Sequence, residues 1–220
     1  LVTNSISHCQ LIISFDITRE IADHELVDLI KTVKVAALIL YDRDGDEMRL
    51  QRRASILVPL LQAQGVAVLI AGDARIAVRV GADGIHCEDG FQLEGEHDNK
   101  PAMMIGYGNI KDRHRAMELG EAGADYIMFG KLDADNEAAP HPRNLRLAAW
   151  WSPLMEVPCI VQAGSDHEMI DKAIETGCEF IAIEEMIFSC PDPRALLIKI
   201  SQRLDNDVPI RHNNLGRDRM

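Results

Sequence analysis

This sequence predicts a single α/β domain closed as a (βα)8 TIM barrel, and three observations carry that expectation. First, one phrase occurs three times: a glycine, a small residue, an acid and a short apolar run. The copies are Gly81-Ala82-Asp83-Gly84-Ile85-His86, Gly123-Ala124-Asp125-Tyr126-Ile127-Met128-Phe129-Gly130 and Gly177-Cys178-Glu179-Phe180-Ile181-Ala182-Ile183. The glycine suits the left-handed position just past a helix end. The apolar run is too short for a helix and suits a strand buried on both faces. Second, the chain holds eight such runs, all but the fourth followed by a plausible helix, which matches the repeat of a small barrel. Third, the first strand leads into Asp16-Ile17-Thr18-Arg19-Glu20 and not into G-x-G-x-x-G. The runner-up, a doubly wound open sheet, therefore lacks its pyrophosphate cradle.

The elements follow in order. Leu11 to Phe15 is strand one, ending at Asp16, and Ile21, Leu26, Leu29, Ile30 and Val33 then recur at helical spacing. Val35 to Tyr41 is strand two, running into the acidic loop Asp42 to Glu47. A helix from Met48 to Gln64 places Leu50, Ala54, Leu57, Val58 and Leu61 on one face, and Gly65 caps it. Val66 to Ala71 is strand three, Ala74 to Val80 a short helix, and Asp83 to His86 strand four. Residues 87–100 are polar and promise a poor helix. Ala102 to Gly106 is strand five, Ile110 to Ala122 a helix, and Ala124 to Phe129 strand six. Lys131 to Arg143 reads as an irregular loop, and Leu145 to Trp151 as a helix. Val157 to Val161 is strand seven. Asp166 is placed to cap a helix reaching Thr176. Glu179 to Ile183 is strand eight, and Pro193 to Leu204 a last helix. The expected organisation is an N-terminal segment over 1–10, the barrel over 11–204 and a polar tail over 205–220.

Composition bounds the function. The 220 residues are 47% hydrophobic, enough for one well-buried core, and the net charge is -12. That charge argues against nucleic acid or an anionic membrane surface as a partner and leaves a small-molecule ligand. The five cysteines, Cys9, Cys87, Cys159, Cys178 and Cys190, form no C-x-x-C pair. With no zinc or disulfide pattern, a reducing, cytoplasmic location is expected. No apolar run approaches the roughly 20 residues of a membrane span, and residues 1–10 lack the form of a signal peptide. A homodimer is compatible with the sequence and stays open.

In a barrel, chemistry sits at the C-terminal strand ends. Those ends supply Asp16; Tyr41, Asp42, Arg43 and Asp44; Gly72 and Asp73; His86, Glu88 and Asp89; Tyr107 and Asn109; Lys131, Asp133 and Asp135; Gln162, Gly164 and Ser165; and Glu184 and Glu185. His86 reads as a packing residue, and the run from Asp42 to Glu47 as a solvated loop. Cys87 reads as a neutral thiol, since no separate His-Asp partner is indicated.

Gly81-Ala82-Asp83-Gly84-Ile85-His86, Glu121-Ala122-Gly123-Ala124-Asp125-Tyr126-Ile127 and Met186-Ile187-Phe188 resemble motifs of the thiamine-phosphate synthase superfamily, also called thiamine-phosphate pyrophosphorylases, which includes the thiazole tautomerases. The family patterns are G-A-D-G-V-H-L-G-Q, E-A-G-A-D-Y-I-x-x-G-P and a strand ending V-S-A-I-F. The order and spacing agree from roughly residue 11 to 200. The resemblance implies a magnesium-dependent transferase of thiamine biosynthesis. It would join a hydroxymethylpyrimidine pyrophosphate to a thiazole phosphate and release pyrophosphate.

Carried over residue by residue, the chemistry thins. The family's pyrophosphate motif Q-L-R-x-K falls on Ile39-Leu40-Tyr41-Asp42-Arg43, where only Arg43 keeps a cation. The magnesium N-D falls on Ala71 and Gly72, with Asp73 one residue late. The second magnesium aspartate falls on Phe91, with Glu88 and Asp89 nearby, and the family serine after strand five falls on Gly108. The loop G-P-I-F-x-T-x-T-K reads Gly130-Lys131-Leu132-Asp133-Ala134-Asp135-Asn136-Glu137-Ala138. The phosphate-binding G-G reads Ala163-Gly164, and the V-S donors read Glu184-Glu185. A carboxylate 4–6 Å from a phosphate costs roughly 3–4 kcal/mol at an effective dielectric near 20.

The candidate phosphate or substrate ligands are thus Arg43, Lys131, Gly164 and Ser165. Gly164-Ser165 offers backbone N–H groups before the expected Asp166 helix. The candidate metal ligands are Asp73, Glu88 and Asp89, and no catalytic residue is assigned. Two functions stand: the family's condensation, or a diverged paralogue that binds a ligand or regulates. In the second case the acidic mouth (Asp42, Asp44, Asp133, Asp135, Glu184, Glu185) would suit a cation. A small-molecule lyase or isomerase on the same scaffold is a weaker third.

Overall fold

Eight parallel strands close on themselves in chain order in the computed structural model, which describes residues 9–88, 103–134 and 136–206. The first half runs β1 (Gln10–Asp16), α1 (Asp23–Ile30), β2 (Ala37–Tyr41), α2 (Glu47–Gln62), β3 (Ala67–Ala71), α3 (Ala74–Val80) and β4 (Gly84–Glu88). The second half runs β5 (Met104–Gly108), α4 (Arg113–Glu121), β6 (Tyr126–Phe129), α5 (Pro142–Trp151), β7 (Cys159–Gln162), α6 (Asp171–Ile174), β8 (Phe180–Ile183), α7 (Glu185–Phe188) and α8 (Pro193–Asp205). The (βα)8 expectation therefore holds. Asp89 and Asp135 lie outside the described residues, as do most of the polar stretch after β4, nearly all of the 1–10 segment and nearly all of the 205–220 tail.

The glycines of the recurring phrase do what their position requires. Gly81, Gly123 and Gly177 have φ of 68°, 86° and 75°, the left-handed turn between a helix end and the next strand. The helix starts are built by short acids. Asp46, Asp73, Asp112 and Asp192 accept backbone N–H groups of Arg49, Arg75, Arg115 and Ala195.

Strand residues alternate between two apolar shells. One lies between the sheet and the helices and holds Phe15, Leu57, Phe129 and Trp151. The Trp151 indole N–H donates to the Val157 carbonyl at 2.7 Å while its ring meets Phe129 edge-on. The other shell fills the barrel interior with Ile12, Ile39, Leu69, Tyr126, Met128 and Ile160. Near the N-terminal end of the interior, β2 and β3 contribute only Ala37 and Ala67, which pair in register.

Two elements differ from the sequence reading. The helix expected from Asp166 to Thr176 is a 3-10 turn at His167–Met169 followed by the four-residue α6. Asp166 still caps it, accepting the Glu168 N–H at 2.9 Å. The short helix α7 was not expected. It follows β8 directly and turns Met186 and Ile187 into the core.

Candidate functional site

Register places Asp16 beside Tyr41, and Glu184 just past the end of β8, so the mouth is polar where β8, β1 and β2 meet. Asp16 is fully buried. Its carboxylate accepts the Thr18 hydroxyl at 2.5 Å and backbone N–H at 3.0 Å, and pairs with the Arg43 guanidinium. Arg43 reaches on to Asp133 at 3.1 Å. The second cluster is centred on Glu184, which is 6% exposed. The Tyr41 hydroxyl donates to Glu184 Oε1, and Arg19 Nη2 lies 3.3 Å from that oxygen and 2.8 Å from Glu185 Oε2. Arg19 also lies over the Phe188 ring, 5.0 Å from its centroid. Burial raises the Glu184 carboxyl above the ordinary carboxylate range, against the pull of Tyr41 and Arg19. Burial, then Glu184, raises the Tyr41 phenol.

The consequence is electrostatic. Arg19 and Arg43 are shared among four carboxylates, Asp16, Asp133, Glu184 and Glu185. Both guanidiniums are committed to the protein, and the mouth stays anionic. Arg53 of α2 fixes the loop that carries Arg19. Its guanidinium donates to the carbonyls of Ile17, Arg19 and Ile21, pairs with Asp23 at 2.9 Å and lies over Phe15.

The sequence candidates divide accordingly. Arg43 is at the mouth, held between two acids. Lys131 is exposed on the loop after β6. Gly164 and Ser165 follow β7, but their surroundings are filled. The Ser165 N–H donates to the Glu137 carbonyl at 2.8 Å and the Asp166 N–H to the Ala138 carbonyl at 3.1 Å. A Cβ on Gly164 would lie 2.4 Å from the Ala138 oxygen. The β6–α5 loop thus takes the Ser165 amide, one of the two that the sequence offers to an anion, and packs its backbone against Gly164.

Asp73 caps α3 and is clasped by Arg75, which holds its carboxyl down to about 2. Glu88 ends β4 opposite Gly108. No group of three His, Cys, Asp or Glu side chains among the described residues is arranged to hold a metal ion. In the acidic loop after β2, Asp42 and Asp44 close on Arg49, at 2.6 Å each.

His86 is 1% exposed, bonded through Nδ1 to the Tyr126 hydroxyl at 2.8 Å and stacked on that ring. Burial drops its imidazole to about 4, so it is neutral. Burial likewise pushes the Cys87 thiol up to about 11, leaving it protonated. Arg19 and Arg53, which shape the mouth, are not among the residues the sequence points to. Arg19 had one signal, its place as the first cation after strand one. Arg53 had none, because its partners lie 30 or more residues away.

Parallel strands closed into a barrel, with ionisable side chains gathered at their C-terminal ends, define a small α/β-barrel protein of the kind that handles small molecules at that mouth. The chain belongs to the thiamine monophosphate synthase family, whose model (TMP-TENI) matches residues 10–187. It is 32% identical over 165 residues to the thiamine-phosphate synthase of Erythrobacter litoralis, covering 72% of this chain and 76% of that one. It is 31% identical over 152 residues to the thiamine-phosphate synthase of Rhodospirillum centenum, covering 68% and 73%. The thiamine phosphate pyrophosphorylase from Pyrococcus furiosus superposes with a TM-score of 0.70 at 16% identity, covering 90% of this chain and 98% of that one. A 3-hexulose-6-phosphate synthase superposes at 0.63 with 17% identity, covering 88% and 98%, a likeness of fold alone. No helix among the described residues is long and apolar enough to cross a membrane.

Proposed function

We propose that this chain is a diverged paralogue that no longer condenses a pyrimidine pyrophosphate with a thiazole phosphate, and that it binds a small molecule or regulates through its barrel. One observation carries the reading. The Ser165 amide, one of the two offered to a phosphate after β7, donates to the Glu137 carbonyl, and the Asp166 amide beyond it donates to the Ala138 carbonyl. The next strand end supports it, because Glu184 places a buried carboxylate where the family pattern has neutral donors. A phosphate entering there would meet repulsion, with Arg19 and Arg43 already engaged.

The test is a coupled assay with hydroxymethylpyrimidine pyrophosphate, thiazole phosphate and magnesium, followed by thiamine phosphate formation. Product at the background rate is expected, and turnover above background overturns the reading. Retained condensation is the second reading, favoured by the 32% identity to a thiamine-phosphate synthase. The same assay decides between them.

A further inference from the structure

A concavity opens among the described residues at the opposite end of the barrel from the mouth. It has a volume of about 800 Å³ and is walled by Ile12, Leu69, Tyr126, Ile160 and Phe180. Its origin is in the sequence. Barrel interiors are usually filled by layers of branched side chains. Here β2 and β3 present Ala37 and Ala67 side by side, and the space that larger residues would fill stays open. Met104, at the lip, is 37% exposed, so apolar surface faces this hollow uncovered. The volume falls in the range of small-molecule sites, about 300–1,000 Å³, which are apolar with a few polar groups at their edge.

The edge carries Gln10, Gln64, Asp125, Lys31 and Lys34. Asp125 is engaged through Oδ2 with the Ile105 N–H at 2.7 Å, and Lys31 pairs with Asp28 at 3.3 Å. Lys34 is exposed and enters no ion pair among the described residues. An apolar chamber with a cation at its lip selects a molecule with an apolar body and one anionic end.

We propose that the N-terminal end of this barrel binds a small amphipathic carboxylate, its apolar part between Phe180 and Tyr126 and its carboxylate at Lys34. This site is independent of the mouth and of whether the family's condensation is retained. It is tested on the full chain by calorimetry and thermal shift with decanoate and, as its uncharged counterpart, decanol. Saturable binding of both is expected, with decanoate the tighter.

Ala67→Phe and Ala37→Leu, on neighbouring strands, should each weaken both probes at least tenfold while circular dichroism stays native. Lys34→Ala should weaken decanoate about two- to fivefold, the worth of an exposed ion pair, and leave decanol unchanged. No saturable binding to the full chain overturns the proposal. So does unaltered affinity in whichever of the two filled variants folds. Binding that emerges only once residues 1–8 are removed would assign the cavity to the chain itself and also overturn it.

Discussion

The Asp83 carboxylate accepts the backbone N–H of Val68 at 2.7 Å, while the Asp83 N–H donates to the Val68 carbonyl at 2.9 Å. An acid that opens β4 thereby seals the start of β3. The other copies of the phrase repeat the device. Asp125 accepts the Ile105 N–H at 2.7 Å, and Glu179 accepts the Cys159 N–H at 2.9 Å. The Val68 N–H faces β4 just ahead of that strand's first residue, so the Asp83 carboxylate is its partner, and Val68 is buried. Leaving such a donor without a partner costs about 1–3 kcal/mol.

Asp83→Ala should therefore lower unfolding stability by about 1–3 kcal/mol in urea titrations, with no change in ligand affinity at the mouth. Asp83→Asn, whose amide oxygen still accepts, should recover part of that loss. An alanine variant as stable as the parent would remove the acid from the fold's requirements.

Gly164 should tolerate no side chain. A Cβ there meets backbone atoms of Glu137, Ala138 and Ala139 at 2.4–2.6 Å, and backbone cannot swing aside as a side chain can. Gly164→Ala is expected to cost about 1–3 kcal/mol, in the range of overpacking, and to expose residues 137–139 to limited proteolysis. Gly65→Ala is the control. Its φ is 76° with open space around it, so only the left-handed strain of about 1 kcal/mol applies, and no new cleavage should appear. Proteolysis unchanged in Gly164→Ala would mean that the loop is not held on β7 by this contact.

The barrel was legible because its signals are local. A helix, a capping glycine and a buried strand all lie within one repeat, as at Gly81 and Gly123. The mouth was legible as a roll of residues but not as a set of partnerships. Arg19 meets Glu184 across 165 positions, and Tyr41 meets it across 143. Nothing in the residues near Arg19 says which acid it will reach. Gly164-Ser165 reads as an open anion site because the sequence names its amides and not the Glu137 carbonyl that takes the Ser165 N–H. The asymmetry is physical, since backbone geometry follows from neighbours in sequence and ion pairing from neighbours in space.

His86 sets a pH dependence whose sign can be worked out. The folded imidazole resists protonation down to about 4, while an exposed histidine takes a proton near 6.5. Between those values the unfolded chain binds more protons, so the contribution is full above about 6.5 and is lost as pH falls towards 4. The integrated effect is about 3 kcal/mol. His86→Gln should flatten the stability difference between pH 7 and pH 4.5 relative to the parent, measured by urea unfolding at both. Parallel pH profiles would show that the His86 environment is not what drives the slope.

Arg43 separates a structural role from a substrate-binding one. Its guanidinium is the charge partner of Asp16, whose carboxylate is fully buried, and it spans to Asp133 on the facing loop. Removing one partner of a buried pair leaves an uncompensated charge, at a typical cost of about 3–5 kcal/mol. Arg43 is itself 42% exposed, so solvent screens part of this, and Arg43→Gln is expected to lose about 2–3 kcal/mol of stability. Asp16→Asn combined with Arg43→Gln should restore much of that loss, because the neutral amide no longer needs a counter-ion. Were Arg43 instead kept for an anionic substrate, Arg43→Gln would leave unfolding nearly unchanged and weaken pyrophosphate binding, and the Asp16 substitution would rescue nothing. Unfolding titrations of the two single variants and the double variant, set beside pyrophosphate calorimetry on the same proteins, distinguish these outcomes. The fully buried carboxylate of Asp16 favours the first.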